Sequence, residues 1–182
     1  PLYHVSGQGI VWRWLYAGAT LILPKEDFYQ SIGEVSHVSL VPTQLQRWFD
    51  YLVEHPQSIH TQAVLLGGTQ IPVKLTQALN ELGIRSYSGY GMTEMASTAF
   101  AKQSDGKIGV GQPLLGREFK LVNEEVWLKG AGLAMGYWRD ERIEPLTNHE
   151  GWFQTKDKGQ WLDDELVIQG RLDNMFISGG EN

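Results

Sequence analysis

The apolar residues of this chain follow two rhythms. In roughly the first hundred positions, short apolar runs alternate with segments of helical spacing. Residues 19–23 (ATLIL) form a run that ends at Pro24, and residues 38–41 (VSLV) another that ends at Pro42. Both read as strands. Leu45, Trp48, Phe49, Leu52 and Val53 recur at the intervals of one helix face, which predicts a helix over residues 43–54. Thr43, just after Pro42, is its expected cap. Residues 63–66 (AVLL) read as a buried strand running into Gly67-Gly68. Residues 72–82 read as a helix with proline near its first turn and Gly83 closing it. Residues 84–87 read as the next strand. Repeated strand–helix–strand units predict a parallel sheet covered by helices.

From about Gly109 the rhythm shortens. Residues 118–122, 126–128, 152–155, 160–162 and 166–169 are brief apolar runs separated by Gly, Asp or Asn turns. They predict an antiparallel sheet or a small barrel. The fold class is therefore α/β, with a first part over 1–108 and a small β part over 109–172.

Composition narrows the function. A chain of 182 residues can form a sizeable core, and 42% hydrophobic with 20% charged residues is ordinary for a globular protein. A net charge of −6 argues against a general nucleic-acid binder. The absence of cysteine excludes disulfides and thiolate metal sites, and it suits a cytoplasmic location. No run approaches the ~18 apolar residues of a membrane span. The start at Pro1 lacks a signal-peptide pattern, and the chain stops in a glycine-rich stretch, so an internal fragment of a longer protein is expected.

Four segments carry candidate chemistry. Ser88-Gly89-Tyr90-Gly91-Met92-Thr93-Glu94 follows a predicted strand, where open α/β sheets bind ligands. Its glycines allow close backbone approach. Tyr90 offers a flat face to a base, Thr93 a hydroxyl to a phosphate oxygen, and Glu94 a hard oxygen to Mg²⁺. Gly67-Gly68-Thr69 ends another strand beside the same crevice. Asp157 is a carboxylate at a strand end, able to accept from ribose hydroxyls. Arg171 presents a fork of donors to ribose or phosphate oxygens. Taken singly, each also reads as a plain turn or surface ion pair.

Their order is more specific than any one of them. Gly67-Gly68, then Tyr90–Glu94, then residues 126–137 (VWLKGAGLAMGY), Asp157 and Gly170-Arg171-Leu172-Asp173 together resemble the adenylate-forming superfamily of acyl- and aryl-CoA ligases. The resemblance spans essentially the whole chain. Residues 1–14 (PLYHVSGQGIVWRW), Val41–Leu45 and Arg171–Asn174 are similar to the o-succinylbenzoate–CoA ligases of menaquinone synthesis.

The resemblance implies part of the large N-terminal domain of such an enzyme, with residues 173–182 a hinge, centred on Asp173, and the start of a further domain. It implies binding of ATP or AMP by Gly67, Gly68, Thr69, Ser88, Gly89, Tyr90, Gly91, Met92, Thr93, Asp157 and Arg171. Tyr90 would stack on adenine, Thr93 would contact the α-phosphate, and Glu94 would hold Mg²⁺. Asp157 would take the ribose hydroxyls. His4 would border the route of the acyl group and of CoA. Arg13, with Ser6, would hold the spare carboxylate of o-succinylbenzoate, since a monocarboxylate pocket has no use for a buried cation. Arg13 also reads as a helix residue snorkelling between two tryptophans, and His4 as a packed histidine.

Three positions depart from the family pattern: Lys156 replaces a glycine between Thr155 and Asp157, Glu124 replaces a glycine before Val126, and Asn174 replaces an acidic residue. The family's phosphate loop and catalytic lysine fall outside this stretch, so little adenylation is expected of the chain alone, and uncovered apolar surface would favour a homo-oligomer. The alternatives are another aryl- or fatty-acid–CoA ligase, or a non-catalytic nucleotide-binding module.

Overall fold

The computed structural model describes residues 2–24 and 26–173. The segment 174–182, including Asn174 and the expected start of a further domain, lies outside them. Helix α1 (Val5–Ala17) begins at His4, whose ring accepts the Ser6 amide, and closes at Gly18 with φ of +62°. Gly7 is its buried residue, whereas Trp12, Leu15 and Tyr16 face solvent. Such a helix shows no apolar stripe in sequence. The expected strand at residues 19–23 does not form. Ile22 and Leu23 are exposed, and no described strand runs beside them to complete a ladder. Helix α2 (Phe28–Glu34) follows, capped by the Asp27 carboxylate, which accepts the Tyr29 and Gln30 amides at 2.9 and 3.0 Å.

Strand β1 (His37–Leu40), helix α3 (Pro42–Glu54), strand β2 (Ala63–Leu66), helix α4 (Val73–Glu81) and strand β3 (Arg85–Met92) supply the expected alternation. The cap of α3 is Val41, not Thr43. Pro42 occupies the first helical position, where a missing N–H costs nothing. The Gln44 side chain reaches back to accept the Val41 amide at 3.0 Å. Strand β4 (Ser97–Gln103) and the short β5 (Gln112–Pro113) complete a five-stranded sheet in the order β1-β2-β3-β4-β5. The first three strands are parallel, and β4 and β5 run antiparallel. The first sheet thus takes in residues beyond 108.

Strands β6 (Arg117–Val122), β7 (Glu125–Gly130), β10 (Phe153–Leu162) and β11 (Glu165–Arg171) form an antiparallel sheet in the order β11-β10-β7-β6, and β8 (Gly136–Arg139) pairs with β9 (Arg142–Pro145) as a separate hairpin. The second part is therefore an open antiparallel sheet rather than a closed barrel. Residues 152–155 and 160–162, read as two strands, fall, Trp152 apart, on the single strand β10, which carries a bulge between Gln154 and Lys158. Three two-residue turns place both residues at positive φ: Asn123-Glu124, Asp140-Glu141 and Asp163-Asp164. That is the hairpin turn whose twist suits the flanking strands. It also accounts for Glu124, which holds the left-handed conformation a glycine would take there.

Two clusters hold the fold. One packs α3 and α4 on the parallel strands, with Leu45, Trp48, Val64, Leu66 and Leu79 fully buried. The other lies where the two sheets meet, and gathers Met95, Phe100, Val126, Leu128 and Leu166. Within it the Phe100 ring meets Phe119 edge-on at 5.2 Å, and Phe119 meets Trp161 at 4.7 Å. Phe100→Ala is expected to cost about 3–5 kcal/mol through lost transfer energy and the cavity left behind. Val53→Ala, at an 82% exposed position, should change stability by less than about 0.5 kcal/mol. Urea unfolding of both variants checks the contrast.

Candidate functional site

The carboxyl ends of β1, β2 and β3 lie side by side, and most of the sequence-marked residues fall there. Gly67 follows β2, with its amide donating to the Leu40 carbonyl of β1 at 3.3 Å. A Cβ on Gly67 would lie 3.4 Å from the Gly89 carbonyl oxygen of β3. Gly68, at φ +86°, and Thr69 are exposed beyond it. Ser88 is buried, and its hydroxyl pairs with Ser104 Oγ at 2.9 Å, so it serves the sheet rather than the crevice.

The segment from Ser88 to Met92 is strand rather than glycine turn. It is paired on its other side with β4, with an irregularity between Tyr90 and Gly91. The chain then reverses through a 3-10 turn at Thr93–Met95 and through Ala96 and Ser97, both at positive φ. This reversal presses the Ser97 carbonyl onto Gly91, where any Cβ would collide with it. Glycine is needed at 91 for the protein's own backbone, whatever else approaches it.

Tyr90 connects the two sheets. Its hydroxyl donates to Asp157 Oδ2 at 2.5 Å, and its ring lies 6.1 Å from Phe100. Burial, followed by the neighbouring Asp157 charge, pushes the Tyr90 hydroxyl well above its ordinary pKa, so it stays a donor. Asp157 is itself 7% exposed, and its other oxygen accepts from Arg171 Nη1 at 3.1 Å. Burial raises the Asp157 pKa, opposed by the Tyr90 hydrogen bond and the Arg171 charge. Arg171 grips Asp173 as well, through Nε at 3.0 Å and Nη2 at 2.8 Å. This pair of hydrogen bonds to Asp173 is the main cause that raises the Arg171 pKa. Removing the cation would leave a buried carboxylate unpaired, a loss of about 3–5 kcal/mol.

Glu94 stands apart from this cluster. Its carboxylate accepts from the Tyr137 hydroxyl on β8 at 2.6 Å, and its carbonyl accepts the Ala134 amide at 2.8 Å. Among the described residues, no three His, Asp or Glu side chains stand together as a protein-only metal cage. A lone half-buried carboxylate instead suits Mg²⁺, which takes one or two carboxylates and leaves its other positions to water and phosphate. Thr93 is exposed beside it.

The α1 residues divide. The His4 ring accepts the Ser6 amide at Nδ1, and that nitrogen also lies 2.8 Å from Ser6 Oγ, so the two form one unit at the helix start. Arg13 lies two turns on, about 10 Å along the axis. It donates to Ser39 Oγ at 3.3 Å, and its Nη1 would lie 3.6 Å from a Cβ on Gly9, with Ser97 Oγ at 3.3 Å. Desolvation lowers its pKa. Arg13 therefore sits against β1 and the start of β4, and Ser6 does not share its position.

Sequence reasoning had no role for Thr155, Tyr137, Ser39 or Ser97. Thr155 is buried; its hydroxyl donates to the Val126 carbonyl at 2.7 Å and accepts the Asp157 amide at 3.0 Å. Tyr137 closes the 126–137 segment, which was the available signal for it. The concave hollows at Lys107–Leu162 and at Gln77–Asp105 contain none of the site residues. The site is an open edge, and its chemistry locates it better than concavity does.

A parallel sheet whose strand β3 carries a tyrosine, met there by a buried carboxylate and an arginine from the second sheet, defines an α/β protein of the open-sheet class, which binds ligands at its strand ends. The chain belongs to the AMP-binding enzyme family, whose profile matches residues 1–138. It is 70% identical over 183 residues to the 2-succinylbenzoate–CoA ligase of Haemophilus influenzae, covering 100% of this chain and 40% of that protein. It is 53% identical over 182 residues to the enzyme of the same name from Escherichia coli, again covering 100% and 40%. Among solved structures, an arginine-to-lysine variant of E. coli MenE with bound OSB-AMS superposes with a TM-score of 0.87 at 53% identity, over 100% of this chain and 40% of that one. The Bacillus subtilis o-succinylbenzoate CoA synthetase in complex with ATP and magnesium gives 0.79 at 27% identity, over 100% and 42%. The chain thus spans about two fifths of the length of these relatives.

The bulge before Asp157 puts Lys156 at φ +64°, with its amide donating to Glu125 Oε1 at 2.9 Å. The glycine-shaped loop survives without glycine. A left-handed residue with a Cβ costs roughly 1–2 kcal/mol, and glycine returns roughly 0.5–1 kcal/mol of that in unfolded-state entropy. The Lys156–Glu125 ion pair is long at 3.6 Å and open at the lysine, and Glu125 keeps the Trp127 indole and the residue-156 amide as donors, so the pair contributes little. Lys156→Gly is therefore expected to stabilise by about 0.5 kcal/mol, read as a rise in the urea midpoint with an unchanged slope.

Proposed function

We propose that this chain is part of an AMP-forming acid–CoA ligase that activates o-succinylbenzoate in menaquinone synthesis. The observation that carries this reading is the joining of Tyr90, near the carboxyl end of β3, to Asp157 and Arg171 of the second sheet, in a family named for AMP binding. In the first step a carboxylate oxygen of the acid attacks the α-phosphorus of ATP and pyrophosphate leaves. In the second, the CoA thiolate attacks the acyl carbon and AMP leaves with the bonding electron pair. Both steps depend on positioning and charge neutralisation.

In this reading Gly67, Gly68 and Thr69 line the adenine pocket, and the Tyr90 ring packs on the base. Asp157 accepts the ribose hydroxyls, with Arg171 beside it. Thr93 donates to the α-phosphate, and Glu94 holds Mg²⁺, which supplies charge neutralisation at the phosphates. His4 borders the acyl and CoA route. Asp173 is the hinge, at the edge of the described residues. The cytoplasmic location belongs to the same proposal, and among the described residues no helix is long and apolar enough to cross a membrane. Self-association is proposed from the exposed Trp12, Leu15 and Tyr16 of α1.

Arg13 is the proposed partner of the second carboxylate of the acid. Its guanidinium is partly desolvated and held by Ser39. A charge-assisted hydrogen bond contributes about 1.5–3 kcal/mol. In the full-length enzyme, Arg13→Ala should raise KM for o-succinylbenzoate by about 10–100-fold, with KM for ATP changed less than about twofold. Steady-state pyrophosphate release with each substrate varied measures both. An unchanged preference for o-succinylbenzoate over benzoate would remove this acid from the proposal.

A further inference from the structure

We propose that the Tyr90 hydroxyl is a positioning group: by holding Asp157 from the opposite sheet, it sets the discrimination between ribo- and 2′-deoxyribonucleotides. This rests on the proposed nucleotide site and deepens it. The carboxylate end of an aspartate turns easily, because its last torsion is broad and two-fold. At Asp157 both oxygens are pinned. Oδ2 accepts from Tyr90 Oη at 2.5 Å, and Oδ1 accepts from Arg171 Nη1 at 3.1 Å. The backbone beneath is also fixed, since the Asp157 amide donates to Thr155 Oγ1, which in turn donates to the Val126 carbonyl.

Each carboxylate oxygen accepts two hydrogen bonds, so one lone pair per oxygen remains after these contacts. Two adjacent acceptors at a fixed orientation match the adjacent 2′ and 3′ hydroxyls of a ribose. They match a single hydroxyl less well, because the second acceptor then loses its partner. The Tyr90 ring and the Tyr90 hydroxyl thus do separate things. The ring lies tilted against Phe100, with 6.1 Å between centroids. The hydroxyl orients a residue 67 positions away on β10.

The test is Tyr90→Phe in the full-length protein, which keeps the ring and removes the hydroxyl. AMP and 2′-deoxy-AMP binding are measured by calorimetry on wild type, Tyr90→Phe and Asp157→Asn, with thermal unfolding of each to set the folded fraction. Tyr90→Phe should weaken AMP by about tenfold and 2′-deoxy-AMP by less than about twofold, so that the ratio between them collapses. Equal weakening of both nucleotides, or of neither, overturns the proposal, since a stacking or purely structural role moves them together. Asp157→Asn reports on the underlying site: it should lose most of the AMP preference. A wild-type ratio in Asp157→Asn would show that Asp157 does not read the ribose, a failure distinct from that of Tyr90.

Discussion

The meeting of the two sheets around Phe100 is the constraint on which the rest depends. Phe100 is fully buried on β4, packs against Phe119 of β6, and stands behind Tyr90 of β3. The Tyr90 hydroxyl can reach Asp157 only while this packing holds β3 and β10 at one separation. Hydrophobic packing is dense and transmits small displacements, whereas a hydrogen bond tolerates only a few tenths of an ångström. The apolar cluster thus sets the geometry of the polar one.

Strain falls near the site. Ala96 and Ser97 at positive φ follow the Thr93–Met95 turn, and Lys156 at positive φ directly precedes Asp157. Each costs free energy that the surrounding ladders must offset. At the bulge the alternation of the strand persists, so that Thr155 and Asp157 both face inward on either side of the exposed Lys156. Gly91 shows the complementary device. Its φ is ordinary, and the side chain is excluded by the Ser97 carbonyl rather than by backbone preference.

Much of this architecture was legible in the sequence, for physical reasons that also mark the limits. α3 declared itself through Leu45, Trp48, Phe49 and Leu52, because one face packs on the sheet while the other is wet. Strands β2 and β7 did so through apolar runs between turn residues. α1 did not, because it packs little and carries glycine at 7 and 9. The run at 19–23 misled, since an apolar run becomes a strand only where another strand accepts its hydrogen bonds. The site residues Gly67, Tyr90, Asp157 and Arg171 were marked by type and order. Their contacts were not, because Tyr90 and Asp157 meet through the register of two different sheets.

Glu94, just after β3, and Asp157, which meets Tyr90 of β3 from the second sheet, have different supports. Asp157 is buried, paired with a cation and held by a tyrosine from the core. Glu94 is half-buried, and its tyrosine partner stands on the β8–β9 hairpin, whose residues are largely exposed. A carboxylate fixed by the core suits a neutral ligand group that must always be met in one geometry. A carboxylate held by one exposed hydroxyl can exchange that partner for a cation at little cost, since the tyrosine hydroxyl returns to water. The division of labour proposed for the two acids, ribose at one and Mg²⁺ at the other, follows the rigidity of what holds each of them.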